Sequence, residues 1–273
     1  MQLPNEHADD VVWPKGIIVS STPVRRVHTR SRRRNTSLIY STKPLGMRVS
    51  ESSVEDRFLI VAQLDPGVEC VRAQPVWLRV VEDGRVRRRA PDAAIMYRGQ
   101  AEIHEVKQDA ECWQPEVRSE LLAIHAEVDR HPGWVYRVAL ESSLLAEPLR
   151  SNTDLLWREL RPEDEIDRRL RFRTTTLLNE KPLVAAELIE ATRHKDVVSS
   201  GTWQKLLSMI AIGMVDFDVS RSLTTDTIVW NRNSGPPRKR TLPASTVHAA
   251  IARPTVAVVR QPFLGLQIRS ASR

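Results

Sequence analysis

The spacing of apolar residues changes period several times along the chain. In VSESSVEDRFLIVAQLD, Val54, Phe58, Leu59, Val61 and Ala62 recur at three- and four-residue intervals. That spacing predicts a helix from about Ser53 to Leu64 with one buried face. Asp65-Pro66-Gly67 ends it. The period then falls to two. VECVRA alternates, and QPVWLRVV is rich in β-branched and aromatic residues. Strands are therefore expected at about 68–73, 76–82, 85–97 (broken near Pro91) and 101–107, with turns at Asp83-Gly84 and Gly99. Pro115 can begin a second helix, with Leu121, Leu122, Ile124, His125 and Val128 on its buried side. After HPGW, the stretch WVYRVAL reads as another strand. Helix, hairpins, helix and strand make an α/β or α+β domain over about 50–150.

From about 153 the pattern turns helical. Asn152 or Thr153 is a candidate cap for NTDLLWREL, and PEDEIDRRLRFRTTTLL continues the helical spacing. Pro182 can start a helix in KPLVAAELIEATR, and Ser-Gly precedes another in SGTWQKLLSMIAIGMV. DFDVSRSLTTDTIVW resembles a short hairpin. Short helices closed by a hairpin predict a small winged-helix-like domain, about 165–232. The expected organisation is a basic N-terminal arm (1–47), an α/β domain (48–152), a helical C-terminal domain (153–234) and a mobile basic tail (235–273).

Charge sharpens the picture of the two ends. Residues 11–50 hold nine Lys/Arg and residues 235–273 hold seven, and neither stretch has an acid. The middle, 51–234, is near −6 although the whole chain is +7. Basic arms on a mildly acidic body point to a polyanion partner, nucleic acid first, with a solubilising role as the plain alternative. Arg25, Arg26, Arg30, Arg32, Arg33 and Arg34, with Lys43, are the candidate phosphate contacts. There are two cysteines, Cys70 and Cys112, and no CxxC pair, so a zinc site or disulfide framework is not expected. The chain has no secretory pattern and no apolar run long enough for a membrane span. A soluble, intracellular protein is the expectation.

Candidate chemistry lies in RRRAPDAAIMYRGQAEIHEVK. Alternation puts Ala101, Ile103, Glu105 and Lys107 on one face of a strand, and Glu102, His104 and Val106 on the other. Glu105 and Lys107 are then about 7 Å apart on one side. A hairpin through Gly99 returns this strand beside Asp92 and can bring Asp92 and Glu105 to one edge. Paired carboxylates repel unless a cation lies between them, and hard oxygen ligands with few protein contacts suit Mg²⁺. A lysine beside such a site can orient or deprotonate a water and offset charge on a phosphorane-like transition state. The plain alternative is a solvent-facing strand with an incidental ion pair. Glu55 borders the sheet-facing side of the first helix and is a candidate fourth member. It also fits a capping box with Ser52, Ser52-x-x-Glu55.

Several features in order resemble the TnsA family, the endonuclease subunits of heteromeric Tn-seven-like transposases. They are the Arg-rich lead with Ser41 and Lys43, ES-x-x-E from Glu51 to Glu55, LDPGV at 64–68, Gln74-Pro75, and PD…EVK. WVYRVALESSLLAEPLRSNTDLLWREL is similar to the family's strand followed by N-x-x-L-L, and the resemblance runs over about 25–232.

The resemblance implies a restriction-endonuclease-like mixed sheet flanked by helices, of the PD-(D/E)xK class. It makes Glu55, Asp92 and Glu105 the acidic metal residues and Lys107 the catalytic lysine, with Mg²⁺ as cofactor and Mn²⁺ able to substitute. It implies cleavage of the 5′ strands at transposon ends beside a DDE-type transposase that handles the 3′ ends. An AAA+ ATPase regulator and a bacterial cytoplasmic setting complete the expectation. Two alternatives stand beside it. One is a DNA-binding or assembly subunit without chemistry of its own. The other is a stand-alone restriction-like nuclease.

Overall fold

The computed structural model describes residues 11–24, 37–39, 48–50, 52–236 and 239–252. Strands β1 (Ser37–Ile39) and β2 (Arg48–Ser50) pair antiparallel ahead of α1 (Ser53–Leu64). Then come β3 (Val68–Ala73), β4 (Leu78–Glu82), β5 (Arg85–Arg89), β6 (Ala93–Tyr97) and β7 (Gln100–Lys107). Helix α2 (Pro115–Val128) carries the chain to β8 (Trp134–Leu140). The central sheet has the order β3-β6-β7-β8, and only β7 and β8 run parallel. It is a mixed sheet flanked by helices in an α/β protein.

Both hairpins are closed as their turn residues dictate. Asp83 and Gly84 have φ of 49° and 72°, and Arg98 and Gly99 have 48° and 77°. Positive φ at both central positions gives the tight turn that matches strand twist, and glycine takes it without strain.

The central strands are covered on both faces. Phe58, Val61 and Ala62 of α1 pack with Ile95 and Val106 on one face. Leu121, Ile124 and Val128 of α2 pack with Ile103, Tyr136 and Val138 on the other. Leu122, expected inside, is exposed. The larger departure concerns charge. Glu102 and Glu105, at 2% and 3% exposure, are buried although charged residues on a strand ordinarily reach water. A strand covered on both faces leaves neither face for its acids.

Helix α3 (Glu141–Leu144) is followed by α4 (Leu149–Glu159), which contacts both cores through Trp157 and Leu156. Asn152 and Thr153 therefore sit inside α4 and cap nothing. Asn152 has better partners elsewhere: its amide donates to the Arg221 carbonyl at 2.9 Å and its oxygen accepts from Leu223 N–H at 2.8 Å. The bond from Leu223 is buried and the one to Arg221 partly so, and Asn152→Ala is expected to cost about 2 kcal/mol. A denaturant midpoint unchanged by that substitution would dismiss the brace.

The following residues form α5 (Arg168–Glu180), β9 (Leu183–Val184), α6 (Ala185–Ala191), α7 (Trp203–Ala211), β10 (Val215–Phe217) and β11 (Ile228–Asn231). β9, β10 and β11 form an antiparallel sheet in the order β10-β11-β9, over a core that includes Leu170, Leu188, Leu206, Ile210 and Phe217. Pro182 does not start α6 as expected. Leu183 and Val184 first pair with β11, and the N–H groups of Ala185 and Ala186 bond to Thr227 and Thr225 carbonyls.

Parts of both basic ends dock on the body. Trp13 stacks on Trp134 with ring centroids 5.5 Å apart, and Ile17 is buried in the α2-side core. Ser20 and Val24 N–H groups bond to the Pro75 and Gln74 carbonyls. Arg25, Arg26, Arg30, Arg32, Arg33, Arg34 and Lys43 lie outside the described residues. The tail expected to be mobile from 235 is instead packed over 239–252. Leu242 is buried, Val138 and Ser245 exchange backbone hydrogen bonds beside β8, and α8 (Val247–Ile251) joins the α2-side core. Val247, Ala250 and Ile251 supply the apolar face that this docking needs. Among the described residues no helix is long and apolar enough to cross a membrane.

Candidate active site

The site forms where β6 begins and β7 ends. Ala93 pairs with His104, so Asp92 stands one step further, opposite Glu105. Two backbone hydrogen bonds hold Asp92 there. Its Oδ2 accepts from Val106 N–H at 2.8 Å, and its carbonyl accepts from Gln74 N–H at 2.9 Å. Gln74 has φ of 45°, a left-handed conformation unusual for a residue with a side chain. Gln74-Pro75 thus has a structural reason to be there: it turns the chain so that Gln74 N–H meets Asp92.

Glu105 and Lys107 share the α2-side face of β7, as alternation predicts. Lys107 Nζ lies 2.7 Å from Glu105 Oε2 and 3.9 Å from Asp92 Oδ2. Glu105 is buried, whereas Asp92 and Lys107 are partly exposed, so the cluster opens to solvent through those two.

Burial, and then the Asp92 charge, push the Glu105 carboxyl well above the usual carboxylate range. Burial opposes the charge on Lys107, but Glu105 and Asp92 outweigh it, and the ammonium holds its proton more tightly than a free lysine. Burial and the same two acids raise the Tyr136 phenol.

The strand that leads to Asp92 carries its own ion pairs. Arg89 binds Glu82 at 2.7 Å and Glu120 at 3.3 Å, and Arg87 binds Glu82 at 3.0 Å.

The donor set fits a hard divalent cation. Two carboxylate groups stand side by side, and one of them is buried with an unfavourable charge that a cation would relieve. Among the described residues no three His, Cys, Asp or Glu side chains are gathered to hold a metal ion. Glu55 lies in the first turn of α1. Its helix packs on the face of β7 that carries His104, with the Phe58 and His104 rings 5.2 Å apart. At the start of α1, Glu55 N–H donates to Ser52 Oγ at 3.2 Å, and Ser52 Oγ donates to Glu55 Oε1 at 3.0 Å. Ser52 thus caps α1, and the Glu55 carboxylate bonds back to the cap side chain.

Sequence reasoning missed a second charged cluster, on the α1-side face. Glu102 takes a two-pronged contact from Arg240, at 2.8 and 2.6 Å, and lies 2.8 Å from His104 Nε2. The Arg240 guanidinium also sits 4.2 Å from the centre of the Tyr97 ring. Burial alone would raise the Glu102 carboxyl, but Arg240 and His104 hold it down to about 2. Burial lowers the His104 imidazole despite Glu102. Beside this cluster, Asp65 Oδ2 accepts from Thr241 and Leu242 N–H, both at 2.8 Å, and its Oδ1 accepts from Gly67 N–H. One signal was readable: Glu102 and His104 alternate with Ile103 and Glu105, so a strand buried on both faces must find counterions for its acids.

No protein-family model matches the chain, and no curated protein is significantly similar to it.

Proposed function

We propose that this protein is a Mg²⁺-dependent DNA endonuclease subunit that hydrolyses the 5′ strands at transposon ends, working with a DDE-type transposase and an AAA+ ATPase regulator. The observation that carries the reading is the corner formed by Asp92, the buried Glu105 and the charged Lys107 at the end of two central strands. The mixed sheet with α1 and α2 on opposite faces supports a restriction-endonuclease-like fold. The order of α5, β9, α6, α7, β10 and β11 supports a winged-helix-like C-terminal module. The ordered motifs similar to the TnsA family give the reading its substrate and partners.

Asp92 and Glu105 would hold the ion, which would polarise the scissile phosphate and lower the pKa of a bound water. Asp92 is pre-positioned for this by Val106 and Gln74. Lys107, 2.7 Å from Glu105 and 3.9 Å from Asp92, would orient or deprotonate the water and balance charge on the phosphate oxygens. Mn²⁺, which also takes oxygen ligands, would substitute.

The test is strand cleavage of transposon-end duplex by the full chain plus the transposase encoded beside it. The expected result is a 5′-strand nick in Mg²⁺ or Mn²⁺ that disappears with chelator. DNA binding without any nick, in either metal, would leave an assembly subunit as the correct description.

A further inference from the structure

The β4–β5 hairpin has two unlike faces. On the inner face Leu78, Val80 and Glu82 are buried, and Arg87 and Arg89 close on Glu82. On the outer face Trp77, Arg79 and Val81 point to solvent, with Arg88 opposite Arg79 and Val86 opposite Val81. Arg88 lies 4.8 Å from the centre of the Trp77 ring. Among the described residues neither Arg79 nor Arg88 has an acidic partner. The hairpin thus pairs Arg87 and Arg89 with acids and leaves Arg79 and Arg88 without one.

That arrangement costs stability within the chain. Like charges directly opposite each other on paired strands repel. Exposed valines and an exposed indole on the same face bring no compensating burial. An external anion removes the repulsion. A guanidinium fork matches a phosphate oxygen pair, and stacking on Trp77 holds one fork ready.

Position selects the anion. β5 ends at Arg89, and only Ala90 and Pro91 separate it from Asp92. The outer face therefore starts beside the candidate active site and runs away from it. From Asp92 back to Val86 an extended chain covers about 20 Å. At 3.4 Å per base pair, that is about six base pairs of duplex.

We propose that Trp77, Arg79 and Arg88, on the outer face of the β4–β5 hairpin, seat the phosphate backbone of duplex DNA flanking the scissile phosphate. The proposal rests on the nuclease reading for its choice of DNA and is separable from it by experiment. Arg79 and Arg88 are positioning residues, since neither reaches the Asp92–Glu105–Lys107 corner.

The test uses the full chain carrying Asp92→Ala, so that DNA is not consumed, with and without Arg79→Ala/Arg88→Ala. A labelled 30-base-pair duplex of arbitrary sequence is titrated by fluorescence anisotropy at several salt concentrations. The double substitution is expected to weaken binding about tenfold near 0.1 M salt. It is also expected to flatten the slope of log affinity against log salt by about 2, one unit per lost phosphate contact. Arg79→Lys/Arg88→Lys should restore most of the slope. The thermal midpoint should not fall, because a repulsive surface pair is being removed.

In the cleaving chain, the double substitution should raise the half-saturating DNA concentration more than it lowers the maximal rate. Unchanged affinity and slope would overturn the proposal even if the protein cuts DNA. Loss of binding to labelled poly-glutamate, with duplex binding intact, would overturn it in favour of an acidic protein partner. If duplex binds through Arg79 and Arg88 but is never cut, the DNA seat stands and the nuclease reading falls.

Discussion

Asp92→Ala, Glu105→Gln and Lys107→Ala are each expected to slow strand cleavage by roughly a thousandfold, while the protein still binds DNA. The three act through different physical losses. Asp92→Ala removes the carboxylate that Val106 N–H and the Gln74 turn hold in place. Glu105→Gln keeps the shape of the side chain but deletes the charge beside Lys107. Lys107→Ala removes the ammonium and leaves two carboxylates facing each other across the strands. Lys107→Arg should not rescue, since a planar fork cannot take the place of a compact ammonium held between Glu105 and Asp92.

A binding readout separates chemistry from folding. Mg²⁺ should raise the thermal midpoint of the parent protein by mass action and do so little or not at all for Asp92→Ala or Glu105→Gln. An Asp92→Ala protein that nicks the end duplex as fast as the parent would sink the assignment of this corner.

The second large effect is on stability. Arg240→Ala is expected to cost about 3 kcal/mol, because it leaves the buried Glu102 carboxylate without its strongest partner. Replacing both residues, as Arg240→Ala with Glu102→Gln, should recover part of that loss, since no bare charge then remains inside.

The same cluster sets an acid limit. Glu102 is held at about 2 in the folded protein against an ordinary 4.5, so its contribution is complete at neutral pH. It is lost as pH falls from about 4.5 towards about 2. His104, held below its ordinary 6.5 by burial, adds a loss in the same direction once pH drops below that value. Denaturant unfolding followed from pH 7 to 3 should show a steep decline in the parent and a shallower one in Arg240→Ala. Parallel profiles would show that the Glu102–Arg240 pair is not the origin of the decline.

These two clusters differ in how much of them could be read from the sequence. Asp92, Glu105 and Lys107 were legible because local rules suffice: a turn at Gly99 sets the register, and strand alternation does the rest. α1 and the strand limits were legible for the same reason. Glu102 and Arg240 are 138 positions apart, and no local period links them. The basic composition around Arg240 reads as solvated, whereas the residues after it carry the apolar contacts that dock it. Asn152 shows another limit. Cap chemistry and loop bracing use the same amide, and only the three-dimensional position of Arg221 and Leu223 decides between them. Glu55 is ambiguous in the sequence because one carboxylate at the start of α1 fits both a helix cap and an acidic site.

Ser245 beside β8 has a consequence for the plan of the molecule. The chain leaves the sheet at α4, builds α5 through β11, and then returns to the sheet at Arg240. The helical module is thus an insertion tethered at both ends, with Arg232 also bonded to the Pro66 carbonyl at 2.6 Å. A module of this kind cannot be removed by shortening the chain from its C-terminus, because the cut would take the last piece of the sheet domain with it. An internal deletion that joins the end of α4 to residue 239 through a short flexible linker would keep that piece.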